Sequence, residues 1–392
     1  MEKRKKVLGF FLAIAFLLAA FGAQAQEIKI GGAQPVTGRF SFAGIHINAG
    51  LEDYIKYTNE KGGINGKPIR YIMEDTEYIV EKAVAVFKRI MAKDNPVIMY
   101  GDSTGLSKAI APLLNTQYKV LYGSTSFSSE LSDPQNNPYT FVSGPTYSDM
   151  FGILLKYISQ NPKEKGRKPR VAFFYSDTEF GKDPIPFGKT EAQRLGIEVV
   201  AEVVAAVGAV EVTSQVVELR RAKPDYVIFQ GYTGQPCAVA MKTARDMGLN
   251  ITFMGTIWGM DRTMIELAGP AAEAYMGVTP YSYYWQTEVP MIQEIIAFNK
   301  THHPDIQYRP TYYLQSWFTG MIFVECLKRA DKMGKINGDN LVKALHSLKD
   351  FDTGGLTPPV TFKNNKSPAG RVYKADMAKK IYTPISDWIR MD

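Results

Sequence analysis

From Glu27 onward the chain alternates between apolar runs of strand length and segments with helical spacing. EIKIGGAQP, KPIRYIMED, PVIMYG and KVLYGS are the first such runs, and helical patterns over Val80 to Lys93 and Leu106 to Gln117 fall between them. The same order resumes at Arg170 with VAFFYSD, IEVVAEVV, DYVIFQG and ITFMGT. These are separated or followed by helical patterns over Phe187 to Leu195, Val212 to Ala222, Gln235 to Gly248 and Met260 to Leu267. Strand, turn, helix, strand on this spacing builds right-handed crossovers around a parallel sheet. The runs are apolar on both faces, as strands covered by helices on each side must be. The two blocks part near YTFVSGPTYSD, Tyr139 to Asp149, which predicts an α/β chain of two doubly wound parallel-sheet lobes. A third region, EVPMIQEIIAFNKTHH and TYYLQSWFTGMIFVECLKRADKM, reads as long helices followed only by weak strands, and must pack on the blocks already built.

The N-terminus, MEKRKKVLGFFLAIAFLLAAFGAQAQ, has a basic cluster, an apolar run from Val7 to about Ala20, and small residues around Ala25. That three-part pattern is a cleavable secretory signal over residues 1–25, and the apolar run falls short of the ~20 residues of a spanning helix. A soluble chain starting near Gln26, outside the cytoplasm, is the expectation. Cleavage takes four basic residues and one acid, leaving +4 of the formal +7. The remaining Lys and Arg are scattered among Asp and Glu, which argues against a nucleic-acid partner. About 366 residues remain, more than one core usually organises. Cys237 and Cys326 lie far apart, each in a helical pattern, and read as free buried thiols rather than a disulfide.

Ligands of an open parallel sheet sit beyond the carboxyl ends of its strands. There the sequence places Asp102-Ser103-Thr104-Gly105 after PVIMYG, and Ser124-Thr125-Ser126-Phe127-Ser128-Ser129 after KVLYG. Hydroxyls and free N–H groups at a helix start suit a carboxylate or other polar head, for which the helix dipole contributes roughly 0.3 to 2 kcal/mol. Helix capping explains any one of these serines; two such turns at successive strand ends point to a ligand. Gly101 to Gly105 also matches the G-x-S-x-G elbow of serine hydrolases, but an acid and then a histidine must follow. His302, His303 and His346 do not sit just past strands, so Ser103 reads as an anchor and the chain as no enzyme. No P-loop, dinucleotide fingerprint or metal-ligand spacing is present, and no cofactor is expected.

The order of EIKIGGAQPVTGRFSFAG, GGINGKPIRYIMED, the hydroxyl turns at GDSTG and GSTSFSSEL, the TEFGKD and GYTG turns, and ARDMGLNITFMG resembles the periplasmic solute-binding proteins of the branched-chain amino-acid type. The resemblance spans nearly the whole chain after the leader. It implies the type I periplasmic binding protein fold, two lobes joined by three crossover strands, closing over a small solute in the periplasm for delivery to the permease of an ABC importer. It adds Thr279 to Tyr284 and Thr357 to Val360 to the crossing at Ser143 to Tyr147 that spacing suggests. The lobes it implies are 26–146 plus 284–357, and 147–283 plus 358–392.

Carried over, the family's carboxylate contacts fall on Ser103 or Thr104 and on Ser124, Thr125 and Ser126, with Phe180 and Tyr232 facing them from the second lobe. Phe180 stands where the family usually has tyrosine. Where the family holds an ammonium with a glutamate, this chain reads Gly255-Thr256-Ile257-Trp258-Gly259, without an acid. A buried ammonium needs a carboxylate. Either Glu77, Glu179 or Asp102 takes that place, or the solute has no α-ammonium. Ala43, with Phe42 beside it, replaces an aromatic of the first loop and suggests an enlarged pocket. Trp258, Tyr232, Phe180, Tyr147 and the run from Tyr281 to Trp285 give the cleft an aromatic character, suited to a carboxylate- or amide-bearing solute, amino-acid-like or an aromatic acid. A ligand-sensing module for a membrane receptor is the alternative role.

Overall fold

The computed structural model describes residues 27–391, so the expected leader lies outside the described residues. Within them no helix is long and apolar enough to cross a membrane. The first sheet is parallel and consists of β1 (Ile28–Gln34), β2 (Ile69–Asp75), β3 (Ile98–Gly101), β4 (Leu121–Ser124) and β5 (Thr140–Val142), in the order β2-β1-β3-β4-β5. Three of its helices come from the strand-helix alternation: α1 (Ser41–Glu60), α2 (Val80–Asp94) and α3 (Thr104–Leu113). Pro112 ends the regular part of α3, and the last turn widens to a π turn over Leu114–Tyr118.

The chain then enters the second lobe through α4 (Tyr147–Gln160), followed by β6 (Arg170–Ser176), the short α5 (Glu179–Lys182), α6 (Ile185–Arg194) and β7 (Glu198–Ala205). Next come α7 (Thr213–Ala222), β8 (Tyr226–Gln230), α8 (Gln235–Asp246), β9 (Thr252–Gly255), α9 (Arg262–Ala268) and β10 (Met276–Thr279). It returns to the first lobe for α10 (Pro290–His302), α11 (Thr311–Lys332) and α12 (Gly338–His346), then closes the second sheet with β11 (Ala369–Asp376) and β12 (Ile381–Arg390). That sheet runs β12-β11-β10-β9-β8-β6-β7. Its last two strands are antiparallel, so the second lobe is not wholly parallel, and the strands read from sequence as weak are among its longest. Their signal is faint because β12 is half exposed along its length and carries Pro384.

The third region does pack on the first lobe. α11 is buried along most of its length and crosses α1 at close range. Glycine permits that approach: a Cβ on Gly50 would lie 2.4 Å from the Tyr313 carbonyl oxygen, and one on Gly320 would lie 2.6 Å from the Tyr54 ring. A buried ion pair between Arg309 and Asp53 (2.9 Å), which also takes the Tyr313 hydroxyl and His303, pins the same crossing.

The three crossings run side by side and bond to one another. Thr146 and Asp149 form a capping box at the start of α4, and Lys366 of the third crossing pairs with Asp149 at 2.7 Å. The Tyr281 hydroxyl donates to the Ser143 carbonyl (2.6 Å), and the Ser282 N–H to that of Leu356 (2.8 Å). The third crossing comes later than Thr357 to Val360. Val360 bridges back to Phe351, Phe362 packs edge-on against Phe141, and the Val142 N–H donates to the Asn365 carbonyl. The chain up to Asn365 therefore stays on the first lobe, which puts the boundary expected at 357/358 in the segment between Asn365 and Ala369. Cys237 (α8) and Cys326 (α11) are buried and unpaired, in different lobes.

Candidate functional site

Both sheets reverse strand order at one point, and ligands of doubly wound folds bind at such points. In the first sheet β1 lies between β2 and β3, so the crevice opens at the ends of β1 and β3, onto the turns carrying Arg39 and Phe40 and Asp102 to Thr104. In the second, β6 lies between β7 and β8, and the corresponding turns carry Thr178 to Phe180 and Gly231 to Gln235. Residues from all four turns line one cleft between the lobes, with a volume of ≈ 730 Å³. That is within the ~300 to 1,000 Å³ typical of small-molecule sites. Phe40, Tyr78, Ser103, Thr104 and Phe180 continue from the cleft into a void at its inner end, ≈ 10 Å³, where Asp102, Thr125, Ser126, Tyr147 and Trp258 also meet.

On the first lobe the hydroxyls divide between internal work and the cleft. Ser103 is the N-cap of α3: its Oγ accepts from the Leu106 N–H (3.1 Å), and no histidine bonds to it. His46, the histidine on the cleft, has its pKa lowered chiefly by burial. Thr104 Oγ1 and Ser126 Oγ bond to each other at 2.7 Å across the two turns. Ser124 is turned inward, bonding Ser107 Oγ (2.7 Å) and accepting the Ser126 N–H (3.0 Å), and is not part of the lining. Thr125 lines the void, and its Oγ1 has no partner among the described residues. Asp102 is 3 % exposed; Oδ2 takes the Thr76 hydroxyl, while Oδ1 has no bonding partner among the described residues. Burial pushes its carboxyl up to about 6, against the opposing pull of Thr76, the Ser103 side chain and its own N–H.

The turn after β2 is strained. Glu77 and Tyr78 both have positive φ, 55° and 60°, a conformation that bulky side chains rarely adopt. Asp75 holds it, accepting from Thr37 Oγ1, the Thr37 N–H (3.2 Å) and the Glu77 N–H (3.1 Å). The result aims Tyr78 into the cleft, stacked on Phe40 at 4.5 Å, and turns Glu77 out to solvent, where it pairs with Lys82 at 2.6 Å. Glu77 is therefore not a site residue.

From the second lobe Trp258 enters the interface. Its Nε1 donates to the Tyr147 hydroxyl (2.9 Å), its ring stacks on Tyr312 at 5.5 Å, and its carbonyl accepts from the Tyr312 hydroxyl (3.0 Å). Phe40 and Phe180 stand edge-on to it at 5.4 and 6.2 Å, and Phe180 lies 5.0 Å from Tyr147. The Tyr232 ring lines the cleft, but its hydroxyl donates to the Ala205 carbonyl (2.7 Å) and accepts the Ala205 N–H, so it is spent on β7. Gly231 before it has φ 84°, and a Cβ there would lie 2.2 Å from Ser176 Oγ, which lets the two turns of this lobe close together. Phe42 stands half exposed at the mouth, while Ala43 is core; Phe40 is the aromatic that the first loop presents. Tyr281 packs in the hinge, Tyr283 and Trp285 on the second lobe, and Tyr284 against Asn299 of α10; none of them lines the cleft.

The lobes are latched at the rim. Asp183 accepts from Ser128 Oγ, the Ser129 N–H (3.1 Å) and Ser129 Oγ (3.2 Å). Lys108 of the first lobe reaches Glu179 at 2.9 Å, and that pairing holds the Glu179 carboxyl below its usual range. Glu179 is thus a rim residue, already matched by a cation. Sequence reasoning missed Phe40, Tyr78, Tyr312, His46 and Asp183. Phe40 carries a visible signal, lying in the first loop next to Phe42; Tyr78 depends on a backbone strain, and Tyr312 comes from a helix remote in sequence.

Two α/β lobes, three bonded crossings and a shared cleft at both switch points define a two-lobed ligand-binding protein. A family model described as "Periplasmic binding protein" matches residues 27–380, and the chain belongs to that family. Among curated proteins it is 25 % identical over 349 residues to "Leu/Ile/Val-binding protein homolog 4" of Brucella abortus, covering 86 % of this chain and 82 % of that one. It is 23 % identical over 274 residues to a leucine-, isoleucine-, valine-, threonine- and alanine-binding protein of Pseudomonas aeruginosa, covering 70 % and 72 %. Two solved structures share the fold. A branched-chain amino acid ABC transporter protein from Thermus thermophilus with bound valine has a TM-score of 0.85 at 22 % identity, covering 93 % of this chain and 97 % of that one. A fatty acid ABC transporter substrate-binding protein from Thermomonospora curvata has a TM-score of 0.82 at 19 % identity, covering 95 % and 94 %.

Proposed function

We propose that this chain is the periplasmic receptor of an ABC importer and captures a small organic solute by closure of its two lobes, without covalent chemistry. The observation that carries this reading is the convergence of both switch points on one cleft, lined from both lobes. A solute touching both lobes has differential affinity for the closed state, and only that difference drives closure. Its polar head would meet Thr104, Ser126 and the first N–H groups of α3, which have no intrahelical acceptor. Its body would lie among Phe40, Phe42, Phe180, Tyr232 and Tyr312. The volume of the cleft and its largely apolar lining favour a body at least as large as a branched-chain amino acid, of amino-acid, amide or aromatic-acid type. The permease is the partner this role requires. Calorimetry with leucine, isoleucine and valine against deaminated and aromatic acids tests it: one-to-one binding by at least one member is expected, and binding by none contradicts the reading.

A further inference from the structure

We infer that the inner end of the cleft is a receptor for a protonated amine, whose N–H groups are accepted by Asp102 Oδ1 and Thr125 Oγ1 while aromatic rings close over it. This deepens the solute-receptor reading and rests on it. Both oxygens are buried and without a partner among the described residues, and both residues line the same void. A buried, unpaired carboxylate oxygen is costly unless a donor reaches it. Among the described residues no Lys, Arg or His lines the void. Instead the rings of Phe40, Tyr78, Tyr147, Phe180 and Trp258 surround the acid, and aromatic faces attract cations.

Size narrows the head group. At ≈ 10 Å³ the void holds about one water, the size of an –NH₃⁺ group or a single N–H, and not a trimethylammonium. Field narrows it further. The ionisable groups that interact with Asp102 include Asp75, whose charge opposes its ionisation, and Tyr78 and Tyr122, both held neutral by burial. The cations on this side engage other groups: Arg39 lies over the Tyr78 ring at 5.5 Å from its centroid, and Lys82 pairs with Glu77 and Asp75. A carboxylate set directly against Asp102 would meet a like charge. This places the amine acceptor on the first lobe, at the turn after β3, where the second lobe offers Trp258 and no acid.

The protein itself carries a pH signature of this arrangement. In the free protein Asp102 takes up a proton near pH 6. A bound ammonium requires the ionised form, so acidification costs affinity: about tenfold between about pH 7.5 and about pH 5. The experiment is calorimetry at both pH values with phenylalanine, phenethylamine and phenylpropionate, and with leucine, isoamylamine and isocaproate. Amine-bearing members should bind at least about thirtyfold more tightly than the deaminated acids, since the latter leave Asp102 unpaired. Asp102→Asn should abolish both this preference and the pH dependence. Thr125→Val, which removes a hydroxyl bonded to nothing in the protein, should weaken amine binding without lowering the melting temperature; it and the wild-type pH profile carry the test if Asp102→Asn does not fold. If the deaminated acids bind equally well, or more tightly on acidification, the amine assignment falls and the receptor reading stands. If neither series binds, both fall.

Discussion

Replacing Asp183 by alanine should open the protein. The carboxylate sits just past α5 in the second lobe and receives three hydrogen bonds from Ser128 and Ser129 of the first, bonds that exist only while the lobes meet. Burial raises the Asp183 pKa, with the serine bonds and Lys108 opposing. In the open state the same groups are hydrated, so the net loss is modest per bond. At about 1 kcal/mol each, the closed state loses about 3 kcal/mol, roughly 150-fold in the closed-to-open ratio. Because a solute bridging the lobes must bring them together, the same factor enters its dissociation constant. Small-angle scattering should report a larger radius of gyration for the Asp183→Ala protein at saturating solute for the wild type, and calorimetry an affinity about a hundredfold lower. Asp183→Asn, which keeps acceptor oxygen but not the charge, should fall between. An affinity within about threefold of wild type, with unchanged scattering, would refute the latch.

Asp102→Asn should stabilise the solute-free protein at neutral pH while damaging binding. A carboxyl whose pKa rises from 3.8 to about 6 on folding destabilises the fold as pH climbs between those values, fully so above about 6. The upper limit is about 3 kcal/mol, or about 4 °C in melting temperature at about pH 7.5, with no gain near pH 4; equal melting at both would show that the carboxyl is not strained by burial. Cys237 and Cys326 should resist thiol reagents in the native state and react together on unfolding, because burial raises both thiol pKa values; fast labelling of either without denaturant would contradict that packing. Ser103 should not be labelled by a serine-directed phosphonate, since its Oγ caps α3; stoichiometric labelling would revive a hydrolytic role.

The architecture was legible because local pattern decides it. Strands buried on both faces and helices of the right length specify doubly wound lobes before any tertiary contact is known, and the hydroxyl turns at GDSTG and GSTSFSS fall where such lobes bind ligands. The sequence was a poorer guide where tertiary contacts decide. Ser124 and Tyr232 stand at the turns expected of them, yet their hydroxyls are taken by Ser107 and by Ala205, choices that depend on how the strand is rotated and on a neighbour from another element. Glu77 and Tyr78 exchange roles through two positive φ angles that no side-chain pattern announces. Tyr312 reaches the cleft only because α11 is threaded back through the first lobe. The third crossing slipped past Thr357 to Val360 because Phe362 and Asn365 find partners on β5 and before it, contacts that a composition reading cannot register.

Native mass spectrometry of the purified protein after exposure to a small-molecule extract of its own cells is the most direct test of capture between the lobes. The expected spectrum shows one small molecule per chain on the wild type, displaced by excess of the matching pure compound and largely lost in Asp183→Ala. A wild-type chain that remains unliganded throughout, or one whose adduct is held equally by Asp183→Ala, would contradict it.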